Sequence, residues 1–129
     1  MKHDVLVPTF QRRDGRGLFV EALSSGPWET LVFGTMKRDA ELGHHYHKHT
    51  EVFFCLTKGR AEVAIMHVET RERERLLIEA PQGVRLRVNE SHAIRFLEDS
   101  DFVMLKSQRY DPNDPDTFSH PVEAAPAGL

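Results

Sequence analysis

The feature that most constrains the fold is a two-residue alternation of apolar side chains. Val84, Leu86 and Val88 alternate with Arg85 and Arg87, which is typical of a strand with one buried face. Comparable short runs recur at spacings of roughly 8 to 12 residues, as in β-sandwiches and barrels. The other candidate strands cover residues 4–10, 18–23, 30–36, 51–56, 61–68, 93–97 and 102–106. The pattern therefore predicts an all-β fold.

Two segments depart from this alternation. Residues 69–79 have a charged centre, Arg-Glu-Arg-Glu-Arg, and are predicted to form a solvated hairpin tip or a single helical turn. The segment 111–129 carries four prolines, each of which removes a backbone hydrogen-bond donor. It is predicted to be a proline-rich arm or tail, which leaves residues 1–110 as the domain.

Composition excludes several functional classes. A chain of 129 residues fits one domain and has no room for a separate dinucleotide-binding domain. It also lacks the glycine-rich motif of such domains. A net charge of −3 argues against nucleic-acid binding. No apolar stretch reaches the roughly 20 residues of a membrane helix, so no membrane contact is expected. Cys55 is the only cysteine and the first residues lack the apolar run of a signal peptide, so we expect a cytoplasmic protein.

Histidine is the residue type most concentrated in one place. The chain has eight, and four of them lie between residues 44 and 49. On a strand, His45 and His47 point the same way, and so does His49 if the strand continues. Glu51 can join them if the chain turns after His47. The spacing therefore predicts a metal site that takes two imidazoles and one carboxylate from this segment.

A further ligand is predicted on a distant strand. His92 shares its parity with Leu86 and Ile94, which places it on an inward face. Three imidazoles and a carboxylate suit one divalent metal ion, namely Zn, Fe, Ni, Co or Mn. His44 remains unassigned, and His49 replaces a chosen ligand if the register slips. The competing interpretation is an exposed histidine-rich loop without a metal.

The two histidine segments resemble the two motifs of the cupin superfamily. Residues 43–59 fit the H-x-H-x3-E part of the first motif, although Gly59 closes it one residue late. Residues 83–96 resemble the second motif, where Gly83 and His92 match. This resemblance implies a small single-domain cupin β-barrel, or jelly roll. The metal ligands that it implies are the same four residues, namely His45, His47, Glu51 and His92.

A narrower resemblance covers most of the chain. Residues 14–21, the His-Tyr-His-Lys at 45–48 and the segment 107–116 are similar to dTDP-4-dehydrorhamnose 3,5-epimerase-like proteins and dTDP-sugar 3,4-ketoisomerases. Those enzymes generally work without a metal and use histidines as general acid or base. The scaffold thus resembles the sugar enzymes, whereas the ligand set resembles that of metal cupins.

These patterns favour a metal-dependent enzyme acting on a keto-containing small molecule, sugar-like or polyketide-like. The metal would act as a Lewis acid for isomerisation, epimerisation or cyclisation through an enolate. The candidate proton-transfer residues are Glu51 and His67, which shares parity with Ile65, although a packed core histidine is the alternative for His67. A metal-dependent oxygenase and a non-catalytic small-molecule-binding cupin are the alternative functions. A homodimer is expected, because strands near the start of the chain leave open edges.

Overall fold

Antiparallel strands account for all the regular structure of residues 2–122, which the computed structural model describes. The all-β prediction is therefore confirmed. No helix among these residues is long and apolar enough to cross a membrane. The strands are β1 Phe10–Asp14, β2 Gly17–Glu21, β3 Thr30–Met36, β4 Glu41–Tyr46, β5 Val52–Lys58, β6 Arg60–His67, β7 Arg73–Glu79, β8 Gly83–Leu86, β9 Glu90–Phe96, β10 Ser100–Lys106 and β11 Phe118–Ser119.

Two sheets enclose the core. One has the strand order β3-β10-β5-β8 and the other has the order β11-β4-β9-β6-β7, while β1 and β2 form a separate hairpin. Side chains from the inner faces of both sheets interdigitate, as the two-residue alternation predicts. The buried core comprises Val52, Phe54, Leu56, Ala61, Val63, Ile65, Ile78, Val84, Leu86, Ile94, Phe96 and Phe102.

The four-stranded sheet has two apolar faces. On its inner face Met104 lies opposite Phe54, and both pack in or against the core. On its outer face Val103 lies opposite Phe33 on one side and Cys55 on the other. Because paired residues of antiparallel strands share a face, each such row lies wholly on one side of the sheet.

The structure corrects two predicted elements. Residues 73–79 form strand β7, paired with β6, so only the first residues of the predicted charged hairpin tip form a turn. Leu76 and Ile78 face inward, whereas Leu77 between them is exposed together with Arg75 and Glu79, which hid the alternation in the sequence. The predicted strand at 4–10 is reduced to a single bridge between Leu6 and Gly83, and β1 starts only at Phe10.

A β-bulge on β4 sets the direction of the histidines. Gly43 pairs with Ala93 and His45 pairs with His92, so His44 is an extra residue without a partner on β9. The bulged residue has a left-handed backbone, with φ of 58° at His44. The insertion shifts the alternation by one residue, and His45 consequently faces the same side as His92.

Gly43 is the residue that permits this bulge. Its φ is 107°, and a Cβ there would lie 2.4 Å from the carbonyl oxygen of His92. We predict that Gly43→Ala lowers the free energy of unfolding by about 2 to 4 kcal/mol, because both the backbone strain and the clash with β9 must be relieved. Urea denaturation measures the change. The matched control is Gly15→Ala, since nothing lies within 4 Å of a Cβ at Gly15. Equal losses in the two variants would contradict this role for Gly43.

Candidate metal centre

Three of the four predicted ligands converge inside the molecule. His45, His47 and His92 each offer a ligand atom, and these atoms all lie within 4.8 Å of one another. The rings of His45 and His92 have centroids 4.8 Å apart, and those of His45 and His47 are 5.1 Å apart. His47 and His92 are buried. Strands β4 and β9, together with the loop that follows β4, therefore supply a compact imidazole cluster.

Two rings of the cluster also bond to backbone carbonyls. His47 Nδ1 donates to the carbonyl of Asp116, and His92 Nδ1 donates to the carbonyl of Glu90 at 3.3 Å. Because a carbonyl only accepts, Nδ1 of His47 and of His92 carries the proton and Nε2 keeps a free lone pair. Such carbonyl contacts orient histidines that ligate metals.

The environment keeps the three rings neutral. Burial lowers the pKa of His92 to about 3, with further lowering by the neighbouring His45 and His47. Burial is also the main cause that lowers the pKa of His45 and of His47. A neutral imidazole is the form that binds a metal, so the cluster is preset as a ligand set near neutral pH.

The cluster lines a small, largely apolar cavity of about 120 Å³. Five aliphatic side chains form most of its other walls, namely Leu42, Val52, Leu86, Ile94 and Met104. Three imidazole ligands leave coordination positions open, which distinguishes a catalytic metal site from a closed structural one. The donor set and the cavity therefore fit a divalent metal ion with room for a small ligand.

Glu51 lies outside this cluster, which corrects the predicted set of four ligands. Its Oε1 lies 3.8 Å from Nε of Arg85, and its backbone N–H donates to Ser107 Oγ. The cause is strand parity. Glu51 has the parity of Phe53, and Phe53 pairs with Arg85 on the outer face of the sheet. The turn after His47 does not reverse that parity.

The two leftover histidines also lie outside the cluster. His44 occupies the bulge, where its Nδ1 accepts the backbone N–H of Val122 and its Nε2 lies 3.2 Å from Glu41 Oε2. His49 is exposed, and its backbone N–H donates to Asp116 Oδ2. The register slip that would exchange His49 for His45 or His47 is not what the structure shows.

His67, the second predicted acid or base, is not among the residues that line this cavity. It ends β6, and its Nδ1 accepts the backbone N–H groups of Glu69 at 3.2 Å and of Thr70 at 3.3 Å. The parity with Ile65 places His67 on the expected side of the strand. The turn that follows then captures its ring, so the structure corrects its assignment to proton transfer in the cavity.

Lys106, which no sequence pattern singles out, lines the cavity beside the three histidines. It ends β10, two residues after Met104 and four after Phe102, both of which face the core. That parity was readable from the sequence. A lysine at the end of a strand is usually solvated, however. The pairing of β10 with β5 shows that Lys106 lies on the inner face of the sheet, opposite Val52.

The predicted C-terminal arm supplies a strap over the cluster, formed by residues 116–122. The carboxylate of Asp116 accepts the backbone N–H groups of Lys48, His49 and Thr50 together with the hydroxyl of Thr50. Phe118 stacks on Tyr46 with ring centroids 5.4 Å apart. The strap fixes the loop after β4 and brings the carbonyl of Asp116 to the ring of His47.

Comparison with solved structures identifies the fold. The chain is similar to the capsular polysaccharide assembling protein CapF from Staphylococcus aureus, with 23% identity and a TM-score of 0.69. It is also similar to a 3,4-ketoisomerase from Helicobacter canadensis, with 22% identity and a TM-score of 0.75, and to a dTDP-4-dehydrorhamnose 3,5-epimerase from Sulfolobus tokodaii, with 15% and 0.73. The predicted cupin jelly roll and its likeness to sugar-nucleotide epimerases and ketoisomerases are thus confirmed.

The extent of these matches differs. The chain aligns over 94% of its own length with CapF but spans only 35% of the CapF chain. With the ketoisomerase the match covers 92% of this chain and 90% of the other, and with the epimerase 88% and 80%.

A search of curated proteins finds no match. The sequence model of the family described as polysaccharide biosynthesis C-terminal domain matches residues 12–118. That segment contains all three clustered histidines and every strand from β2 to β10. The chain therefore belongs to the polysaccharide biosynthesis C-terminal domain family.

Proposed function

We propose that this protein is a metal-dependent isomerase or epimerase of a keto-containing, sugar-like small molecule. The observation that carries the proposal is the convergence of three neutral imidazoles on one small, largely apolar cavity. The fold is shared with a 3,4-ketoisomerase and a dTDP-4-dehydrorhamnose 3,5-epimerase, and both names describe reactions of keto sugars. Such reactions move a proton beside a carbonyl and need no redox cofactor.

In this proposal His45, His47 and His92 hold one divalent ion through their free ring nitrogens. A divalent metal there supplies Lewis-acid polarisation of a substrate carbonyl. The aliphatic walls of the cavity exclude water from the reacting carbon, which strengthens every charge interaction inside. The strap holds His47 in place through the carbonyl of Asp116.

Metal content tests the ligand assignment. We predict about one divalent ion per chain in protein prepared without a histidine tag. His92→Ala should weaken metal binding by more than about a hundredfold, because even the outer partners of a ligand are worth about 10- to 100-fold. Elemental analysis and competition with a chromophoric chelator measure both quantities.

Two control variants sharpen this test. His49→Ala and Glu51→Gln should retain the metal, because both side chains lie outside the cluster. Loss of metal in Glu51→Gln would restore the four-ligand set predicted from sequence and contradict the structure. Full retention in His92→Ala would remove His92 from the site.

Solvent exchange tests the reaction class. With a dTDP-linked 4-keto sugar in D₂O under argon, we predict deuterium at the carbon beside the carbonyl, detected by NMR. The rate should fall with a chelator and return with added metal, since the polarised carbonyl acidifies that carbon. Turnover that requires and consumes O₂ would instead establish an oxygenase. If neither exchange nor O₂ uptake occurs across a panel of keto sugars, the protein is a binding cupin.

A metal-free mechanism is the second candidate, and the same cluster favours it. Neutral imidazoles are proton acceptors, and burial keeps all three neutral. In this case one imidazole removes the proton from the carbon beside the carbonyl. Deuterium exchange that continues unchanged after complete metal removal would select this candidate over the first.

We also propose that the protein is a homodimer whose interface is the outer face of the four-stranded sheet. Phe33 is 78% exposed and Leu31 is 62% exposed, although both are large and apolar. Their rows continue through Val103 and Leu105 across the sheet. A cavity of about 530 Å³, lined mostly by apolar side chains, lies on the same face beside Leu18 and its neighbours. An apolar surface of this kind marks an association site. In a two-fold dimer the same surface of a second copy packs against it.

Light scattering tests the dimer. We predict a mass twice the 14.8 kDa of the chain, and a shift to the monomer mass in Phe33→Asp. The matched control is Leu77→Asp, because Leu77 is 59% exposed on β7 in the other sheet. A parent protein of 14.8 kDa at micromolar concentration would contradict the proposal.

A further inference from the structure

Lys106 is a positively charged residue inside the cavity of the histidine cluster. It pairs with Val52 across β10 and β5, and Val52 belongs to the core face. Lys106 lines the cavity with the three histidines and also the adjoining cavity that contains Thr50 and Arg109. It is half-buried, so part of its hydration has been lost.

Nothing among residues 2–122 neutralises this charge. No carboxylate of these residues lies within 4.0 Å of the Lys106 ammonium. The carboxylate of Asp116, which lines the adjoining cavity, accepts from four donors of the loop after β4. The carboxylate of Glu51 lies toward Arg85 on the opposite face of the sheet.

The charge of Lys106 is felt at the cluster itself. It contributes to the lowering of the pKa of His45, His47 and His92. The ammonium and the three imidazoles therefore act on the same small volume. Since a partly desolvated ammonium is stabilised by an opposite charge, that volume favours an anion.

We infer that Lys106 binds an anionic oxygen of the substrate, one attached to a trigonal carbon, at the histidine cluster. This inference rests on the proposed function and adds a residue to it. The oxygen has two possible sources with the same chemistry, namely a carboxylate that the substrate carries or the enolate oxygen formed during isomerisation.

The enolate is formed without any outside reagent. In the metal-free mechanism the C–H bond beside the carbonyl breaks and its proton passes to one neutral imidazole of the cluster, while its electron pair forms the new C=C bond. The carbonyl π pair moves onto the oxygen, which then accepts an N–H of Lys106. Reprotonation at carbon restores the carbonyl, so no oxidant or reductant is consumed.

Formate, a planar carboxylate small enough for the cavity, is the probe. Metal-free ¹⁵N-labelled protein is titrated with sodium formate above the ordinary titration range of histidine. We expect saturable shifts at the amides of Val52, His92 and Lys106. Lys106→Met should weaken formate binding by about 10- to 100-fold, the worth of a charged hydrogen bond, and Lys106→Arg should restore most of it.

Lys48→Met is the matched control, because Lys48 is exposed with its Nζ 4.3 Å from the ring of Phe118 and does not line the cavity. It removes the same charge from a nearby position and should leave formate affinity unchanged. If Lys106→Met does not fold, as judged by its amide spectrum, Lys106→Gln takes its place.

Two results would overturn the assignment: no saturable shift in the parent protein, or equal formate affinity in Lys106→Met. Because the titration uses metal-free protein, it is independent of metal content and of solvent exchange, which test the proposed function. In the exchange assay, a raised KM in Lys106→Met identifies a substrate carboxylate, whereas a lowered kcat at constant KM identifies the enolate oxygen. Unchanged kcat and KM would count against Lys106.

Discussion

The alternation of side chains along β4, reset by one residue at the bulge, determines which histidines enter the core. Without an extra residue at position 44, strand alternation would place His44 rather than His45 opposite His92. The bulge depends on Gly43, because a Cβ there would collide with the backbone of β9. The cluster therefore depends on the backbone geometry of β4 rather than on attraction between the rings. The neighbouring imidazoles in fact lower each other's pKa.

Charge explains why such a cluster can be buried. Each imidazole stays neutral, and the two buried rings, His47 and His92, bond to backbone carbonyls, which meets the requirement that buried polar groups have partners. Lys106 adds the one formal charge of the cavity lining, and the nearby carboxylates are committed elsewhere. The cavity is consequently positively charged, and a bound metal ion would add to that charge. That electrostatic balance suits a reaction in which negative charge develops on a substrate oxygen.

Local alternation predicted the fold class and the three histidines, because parity alone decides which side of a strand a residue faces. It failed for Glu51, where the inner face depends on pairing with β8 and β10, strands far away in sequence. It also failed for β7, where charges flank the inward Leu76 and Ile78. His67 had the predicted parity, but a turn of its own captured the ring. Which strands pair depends on residues far apart in the chain, and whether a ring bonds to its own turn depends on the local conformation. The pattern of residue types along the chain shows neither.

X-ray absorption spectroscopy of the zinc-loaded protein tests whether three histidines hold the metal, because it counts the ligand rings. We predict three imidazole nitrogens at about 2.0 to 2.1 Å, with the multiple scattering of three rings and the remaining positions filled by oxygen ligands. The spectrum of Glu51→Gln should be identical. A first coordination sphere with fewer than three imidazoles, or one that changes when Glu51 is replaced, would show that His45, His47 and His92 are not the ligand set.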